Sequence, residues 1–131
     1  MYDINTLASN SFMVAASQST DPTGPWHGVS FVADPVSGNF ADFPTLGVDA
    51  NGVYVAANMF TPAENSVGLT LVSIPKADLL LSVPTATNAT SFGILDYTNY
   101  GCILQPVLNP AGADRATKRW NPGPRIRLRP A

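Results

Sequence analysis

A chain of 131 residues is long enough to enclose one hydrophobic core, and this chain has 12% charged and 45% hydrophobic residues. It has no run of about 18 apolar residues, so no membrane span is predicted, and its N-terminus lacks the basic and apolar regions of a signal peptide.

The single cysteine, Cys102, excludes an internal disulfide and a cysteine-based zinc site, and we expect it to be buried as a small hydrophobe. The only histidine is His27, so a Ser-His-Asp set or a metal-binding histidine cluster is not predicted.

The net charge of −2 conceals an uneven distribution along the chain. Residues 1–114 contain all nine acidic residues and a single base, Lys76, whereas residues 115–131 contain six bases and no acid. We expect residues 114–131 to be a basic, Pro- and Arg-rich tail that is disordered or foreign to the fold. Binding of nucleic acid or an anionic membrane by this tail is the alternative, and we regard it as the less favoured one.

Short apolar runs separated by Gly, Pro and Asn predict an all-β chain, with strands roughly every 10 to 15 residues. The predicted strands are residues 12–18, 26–33, 44–49, 53–60, 68–74, 91–95 and 102–108. Asn51-Gly52 between two apolar runs is a strong hairpin signal, because both residue types tolerate positive φ. One helical turn is predicted over residues 76–81, after Pro75.

The turn between the first two predicted strands resembles the Asp-box of sialidase-like propellers, which runs Ser, any, Asp, any, Gly, any, Thr, Trp. Ser19, Asp21 and Trp26 stand at the spacing of that motif. Gly24 is displaced by one position, and Pro25 stands where the motif has Thr. The resemblance implies a structural hairpin in which the Asp side chain bonds backbone amides of its own turn and the Trp packs between blades.

A wider similarity, over roughly residues 12–108, is to a family of large bacterial secreted proteins with this fold. Its elements here are the Asp-aromatic-Pro run Asp42–Pro44, the strand end Asn58–Phe60 and the segment Leu104–Pro106, which resembles the start of that family's next blade. The resemblance implies an extracellular parent protein.

The fold class predicted on this basis is an antiparallel β-propeller in part, with about one full blade and pieces of two neighbours within residues 1–113. The blade segments are residues 12–33, 44–95 and 102–108. One blade cannot bury both of its faces alone, so we expect self-association to complete the propeller.

Sialidase chemistry needs an arginine cluster, a Tyr/Glu pair and an acid, but this chain has no arginine before Arg115 and one glutamate, Glu64. The resemblance therefore implies fold and not activity, and no catalytic residue, metal or cofactor is predicted. Asp42 and Asp49 are the only carboxylates considered as a glycosidase pair, and both are interpreted first as turn residues. Asp49 also opens a segment like the start of a calcium loop, without the remaining ligands.

The sequence thus favours a non-catalytic structural or binding segment of a propeller, with a carbohydrate or a protein as its ligand. A fragment of a glycoside-hydrolase-like enzyme, whose catalytic residues lie in other blades, is the first alternative. A small protein that binds nucleic acid through its basic tail is the second.

Overall fold

The structure, a computed structural model, describes residues 10–109. Within this range the strands are β1 (Ser11–Ser17), β2 (Trp26–Val32), β3 (Phe40–Val48), β4 (Gly52–Phe60), β5 (Ser66–Pro75) and β6 (Thr90–Ser91). The helices are the single turns α1 (Lys76–Leu79) and α2 (Tyr97–Tyr100). The predicted all-β class is confirmed. The predicted tail, residues 114–131, lies outside the described residues. The expectation that it is disordered therefore stays a prediction.

All strand pairs are antiparallel and form two sheets, one of order β1-β2 and one of order β3-β4-β5-β6. The β1-β2 hairpin alternates as its sequence predicts. Phe12 and Val14 are buried on one side, opposite Phe31 and Val29 of β2, while Met13 points to solvent. The rings of Phe12 and Phe31 lie 5.6 Å apart between centroids, so the hairpin presents an apolar face to the second sheet.

The four-stranded sheet packs one of its faces against this hairpin. Val55 of β4 is paired with Val72 of β5, and Val53 is paired with Ile74, so their side chains point to the same face. The buried core between the two sheets consists of Phe12, Val14, Ala33, Ala41, Val53, Val55, Ala57, Met59, Val72, Ile74 and Leu79. The predicted helical turn after Pro75 is present as α1, which adds Leu79 to this core.

The Asp42–Pro44 run lies inside β3, although the sequence predicted a strand that begins only at residue 44. β3 starts at Phe40, and its pairing with β4 shifts between Asp42 and Thr45, which marks a β-bulge. Phe43 sits in the bulge with a positive φ of 52°. The turn-like sequence is therefore accommodated as an irregularity within the strand.

Residues 104–109 lie on the other face of the four-stranded sheet, against β3. Thr45 Oγ1 donates to the carbonyl oxygen of Leu104 at 2.7 Å, and the N–H of Asn109 donates to that of Val48 at 2.7 Å. Gly47 lies directly beneath Pro106, where a Cβ would come within 2.5 Å of the proline ring. The strand predicted at residues 102–108 is absent as a ladder strand, and residues 104–109 run along β3 with one backbone hydrogen bond to it, from Asn109 to Val48.

Two further expectations change in the same part of the chain. Cys102 is exposed, so the prediction of a buried cysteine is wrong: no second layer of the described chain covers this position. The strand predicted at residues 91–95 is shorter, with β6 at Thr90–Ser91 and an isolated bridge between Leu69 and Leu95. No helix among residues 10–109 is long and apolar enough to cross a membrane.

Candidate functional site

The Asp-box-like turn joins β1 to β2 and is held together by its own side chains. Asp21 Oδ1 accepts hydrogen bonds from the Thr23 N–H at 2.9 Å and from Thr23 Oγ1 at 2.7 Å. These bonds lower the pKa of the Asp21 carboxyl below its ordinary value. Ser19 Oγ accepts from the Asp21 N–H at 3.2 Å, and the Gly24 N–H donates to the carbonyl oxygen of Asp21. The turn is thus fixed locally, as the resemblance implies.

Trp26 takes a different place from the one that the resemblance implies. Its Nε1 donates to the carbonyl oxygen of Pro22 at 3.0 Å, and 53% of the residue is exposed. Within the described residues it therefore packs on its own turn and not between two layers. Neighbouring His27 contacts Gln18 through its ring nitrogen Nε2.

Asp49, one of the two weak site candidates, is a buried turn residue between β3 and β4. Its Oδ1 accepts from the N–H groups of Asn51 and Gly52 at 2.8 and 2.9 Å, and its Oδ2 accepts from the Tyr54 hydroxyl at 3.0 Å. The predicted hairpin is present, but neither Asn51 nor Gly52 has a positive φ. A Cβ at position 52 would lie 3.2 Å from the carbonyl oxygen of Ile74, which is closer than an ordinary contact, so glycine avoids crowding there.

Asp42, the other candidate, lies at the opposite end of β3. A strand rises about 3.3 Å per residue, so the seven positions between Asp42 and Asp49 separate them by roughly 20 Å. The two carboxyl groups of a glycosidase lie within about 10 Å of each other. The structure therefore does not bring these two aspartates together as a catalytic pair.

Three further aspartates fix loops in ways that the sequence analysis missed. Asp34 is buried, and its Oδ1 accepts from the N–H groups of Val36 and Ser37 at 3.1 and 3.0 Å, while its Oδ2 accepts from Asn39 Nδ2 at 2.7 Å. Burial on its own raises the pKa of Asp34, but the hydrogen bonds from Ser37, Asn39 and Val36 outweigh it and leave the pKa below its ordinary value.

Asp96 and Asp78 act in the same way. Asp96 caps α2 by accepting from the N–H of Thr98 at 2.9 Å and from its hydroxyl at 2.6 Å, and these bonds lower its pKa. Asp78 accepts from the N–H and the side-chain amide of Asn88. The spacing Asp-any-Thr, shared by the Asp21 and Asp96 turns, is a sequence signal that identifies such loops.

A groove of about 400 Å³ runs between β1 and the bulge of β3. Asp42, Pro44, Leu46 and Met13 are among the residues that line it. Asp42 Oδ1 accepts from the N–H of Phe43 at 2.9 Å, as expected for a turn aspartate. Apolar side chains are unusually exposed along this groove and the adjoining bulge: Met13 is 84% exposed, Phe43 73% and Leu46 46%. The sequence analysis named Asp42 here but not the aromatic beside it.

A second cavity, of about 460 Å³, lies between the sheet and residues 104–109. It is lined by Asp49, Tyr54, Leu71, Leu104, Gln105, Pro106, Val107 and Asn109. Its walls are mainly apolar, and the carboxylate of Asp49 is already bonded to the turn and to Tyr54. Among residues 10–109, His, Cys, Asp and Glu side chains do not gather in a group of three that could hold a metal ion.

Comparison with protein-family models, with curated proteins and with solved structures found no match to this chain. The resemblance to sialidase-like propellers therefore depends on the sequence motifs alone and stays a prediction.

Proposed function

We propose that the chain is a non-catalytic segment of a sialidase-type β-propeller that serves assembly and ligand binding. The observation that supports this most is the layered arrangement of its strands. The sheet β3-β4-β5-β6 is an antiparallel meander of four strands in chain order, which is the pattern of one blade. The β1-β2 hairpin covers one face of it, and residues 104–109 lie on the other, as parts of neighbouring blades would.

The use of the acidic side chains favours a binding or structural role over catalysis. Each aspartate among residues 10–109 accepts a hydrogen bond from a backbone N–H, within three residues of itself in every case but Asp78, whose donor is Asn88. A general acid or base has to exchange protons with a substrate, and a carboxylate that secures a turn is poorly suited to that task.

Self-association is the second part of the proposal. Among residues 10–109 the hairpin sheet has two strands where a blade has four, and β1 contains no charged residue or proline that would protect its edge. The outward side of this hairpin exposes Met13 and Val32. A second copy that pairs with or packs on this hairpin would complete the missing layer.

The mass of the full-length chain in solution tests the assembly. Light scattering and sedimentation over a range of concentrations should show a discrete oligomer, and a stable, well-folded monomer would overturn this part of the proposal. A lysine at an exposed edge position opposes pairing, so Met13→Lys should lower the mass. Val36→Lys, at a loop position that is 91% exposed, is the matched control and should leave it unchanged.

A further inference from the structure

Phe43 carries two unfavourable features at one position. Its side chain is 73% exposed, and its φ of 52° lies in the left-handed region that aromatic residues rarely adopt. Asp42 Oδ1 accepts from the N–H of Phe43 at 2.9 Å, which helps to hold this conformation. The following Pro44 favours an extended backbone with negative φ at position 43, so the positive φ is a further departure from the ordinary preference. Among residues 10–109, Phe43 is not part of the buried core, so packing within the fold does not account for this arrangement.

Asp42, which precedes Phe43, and Asn58, which is paired with Asp42, both have hydrogen-bonding groups that no described residue uses. Asp42 is paired with Asn58 of β4, and directly opposite residues of an antiparallel pair point their side chains to the same face. Among the described residues, Asp42 Oδ2 accepts no hydrogen bond, and the side-chain amide of Asn58 makes none. Both residues are partly exposed, and Asp42 directly precedes the exposed Phe43 in the chain.

We propose that Asp42, Phe43 and Asn58 form a carbohydrate-binding subsite at the bulge of β3. This inference depends on the binding role proposed above and specifies its ligand. The C–H face of a pyranose ring packs on an aromatic side chain, while its hydroxyl groups donate to a carboxylate and bond in both directions with an amide. The bulge leaves the side chain of Phe43 exposed, and the Asp42 carboxylate is bonded to the backbone N–H of the same residue.

The same groups argue against an apolar protein surface as the occupant. Such a surface would cover Phe43 well but would take the open oxygen of Asp42 out of water without a donor, which is unfavourable for a charged group. A sugar brings several hydroxyl donors together with an apolar ring face. The chemistry of the three side chains is therefore matched by a carbohydrate better than by a second copy of the chain.

Binding of the full-length chain to a printed array of bacterial and animal glycans tests the subsite, with saturation-transfer NMR on any sugar that binds. Phe43→Ala should weaken binding at least tenfold. Asp42→Asn, which keeps an oxygen to accept from the Phe43 N–H, should weaken it less. Phe92→Ala removes another aromatic side chain, 53% exposed and outside the bulge, and should leave binding unchanged.

Each remaining outcome distinguishes the subsite from the proposed assembly. A folded oligomer that binds none of the glycans overturns the subsite and leaves the assembly standing. Sugar binding that survives Phe43→Ala also overturns it. A fall in mass caused by Phe43→Ala, without any sugar bound by the unchanged chain, assigns Phe43 to the contact between copies and overturns the carbohydrate proposal. A monomer that binds sugar through Phe43 supports the subsite and overturns the assembly.

Discussion

Asp34 illustrates at the scale of one residue how a carboxylate holds a loop. It is buried after β2 and accepts from two backbone N–H groups and from the side chain of Asn39. Hydrogen bonds to a charged group contribute about 2 kcal/mol, and a buried donor that loses its partner costs a similar amount. The short loop between the two sheets therefore depends on one side chain, because Val36 and Ser37 both donate to the same oxygen.

This dependence predicts how stability changes with pH. The folded-state pKa values of Asp21, Asp34 and Asp96 lie below the ordinary value of 3.8, so their contribution is complete above that pH. It is lost as the pH falls through the lower folded-state values. The urea midpoint should therefore fall between pH 5 and pH 2.5, and Asp34→Asn should show a shallower fall. Equal slopes for the two proteins would contradict a role for the Asp34 charge.

Phe43 makes a second prediction at this scale. A left-handed backbone costs most residues about 1–2 kcal/mol relative to glycine, whereas glycine in a regular strand costs about 0.5–1 kcal/mol relative to alanine. Phe43→Gly should therefore be more stable than Phe43→Ala by about 0.5–1 kcal/mol. Urea unfolding of the two variants measures the difference. The reverse order, which an ordinary strand position gives, would mean that φ at position 43 is not positive.

At the scale of elements, Gly47 determines how closely residues 104–109 approach the four-stranded sheet. A Cβ at position 47 would come within 2.5 Å of the Pro106 Cβ and within 2.7 and 2.9 Å of its carbonyl atoms. Gly47→Ala should force this segment away from the sheet and lower the free energy of unfolding by about 1–3 kcal/mol, as overpacking does.

The control for this variant is Gly28→Ala in β2. A Cβ at position 28 meets the carbonyl oxygen of Val14 at 3.4 Å, which is ordinary contact, and its φ is not positive. Urea unfolding of both variants, with hydrogen exchange at Asn109 as a local probe, gives the comparison. Equal stability of the two variants would show that residues 104–109 do not rest on Gly47.

Elements whose partners are close in the chain could be predicted from the sequence. The hairpins β1-β2 and β3-β4 lie close to their expected positions because their strands alternate and their turns carry Asp, Asn and Gly. The turn at Asp49 was interpreted correctly as structural, although it is formed by side-chain bonds and not by positive φ.

Features that depend on distant parts of the chain could not be predicted. The apolar run Cys102–Leu104 is typical of a strand, yet it finds no edge to pair with and Cys102 stays exposed. Whether such a run pairs or lies on a face depends on the tertiary arrangement around Gly47 and Thr45, 50 and more residues earlier. The proposed subsite at Phe43 was not predicted for a similar reason, because Asn58 is placed opposite Asp42 only by the register of β3 and β4.

At the scale of the whole molecule, the buried core draws on residues between Phe12 and Leu79. The later part of the described chain contributes mainly exposed apolar side chains, such as Ile103, Val107 and Leu108, which are 71%, 77% and 66% exposed. The buried core described here is thus supplied by residues 12–79, whereas these three apolar side chains near the end of the described chain remain exposed.

This division predicts that residues 115–131 can be removed without loss of folding. The deletion takes away six bases and leaves every core residue described among residues 10–109, so thermal and urea unfolding should be unchanged. Residues 1–114 hold nine acids and one base, so the shortened chain has a net charge of 1 − 9 = −8 and repels its copies more strongly. Its mass should therefore be compared with that of the full chain at about 0.15 M salt and above, where exposed charges are screened beyond about 8 Å.

Unfolding of the shortened chain would show that the tail is an integral part of the fold. Salt-sensitive DNA binding that the deletion abolishes would favour the nucleic-acid alternative.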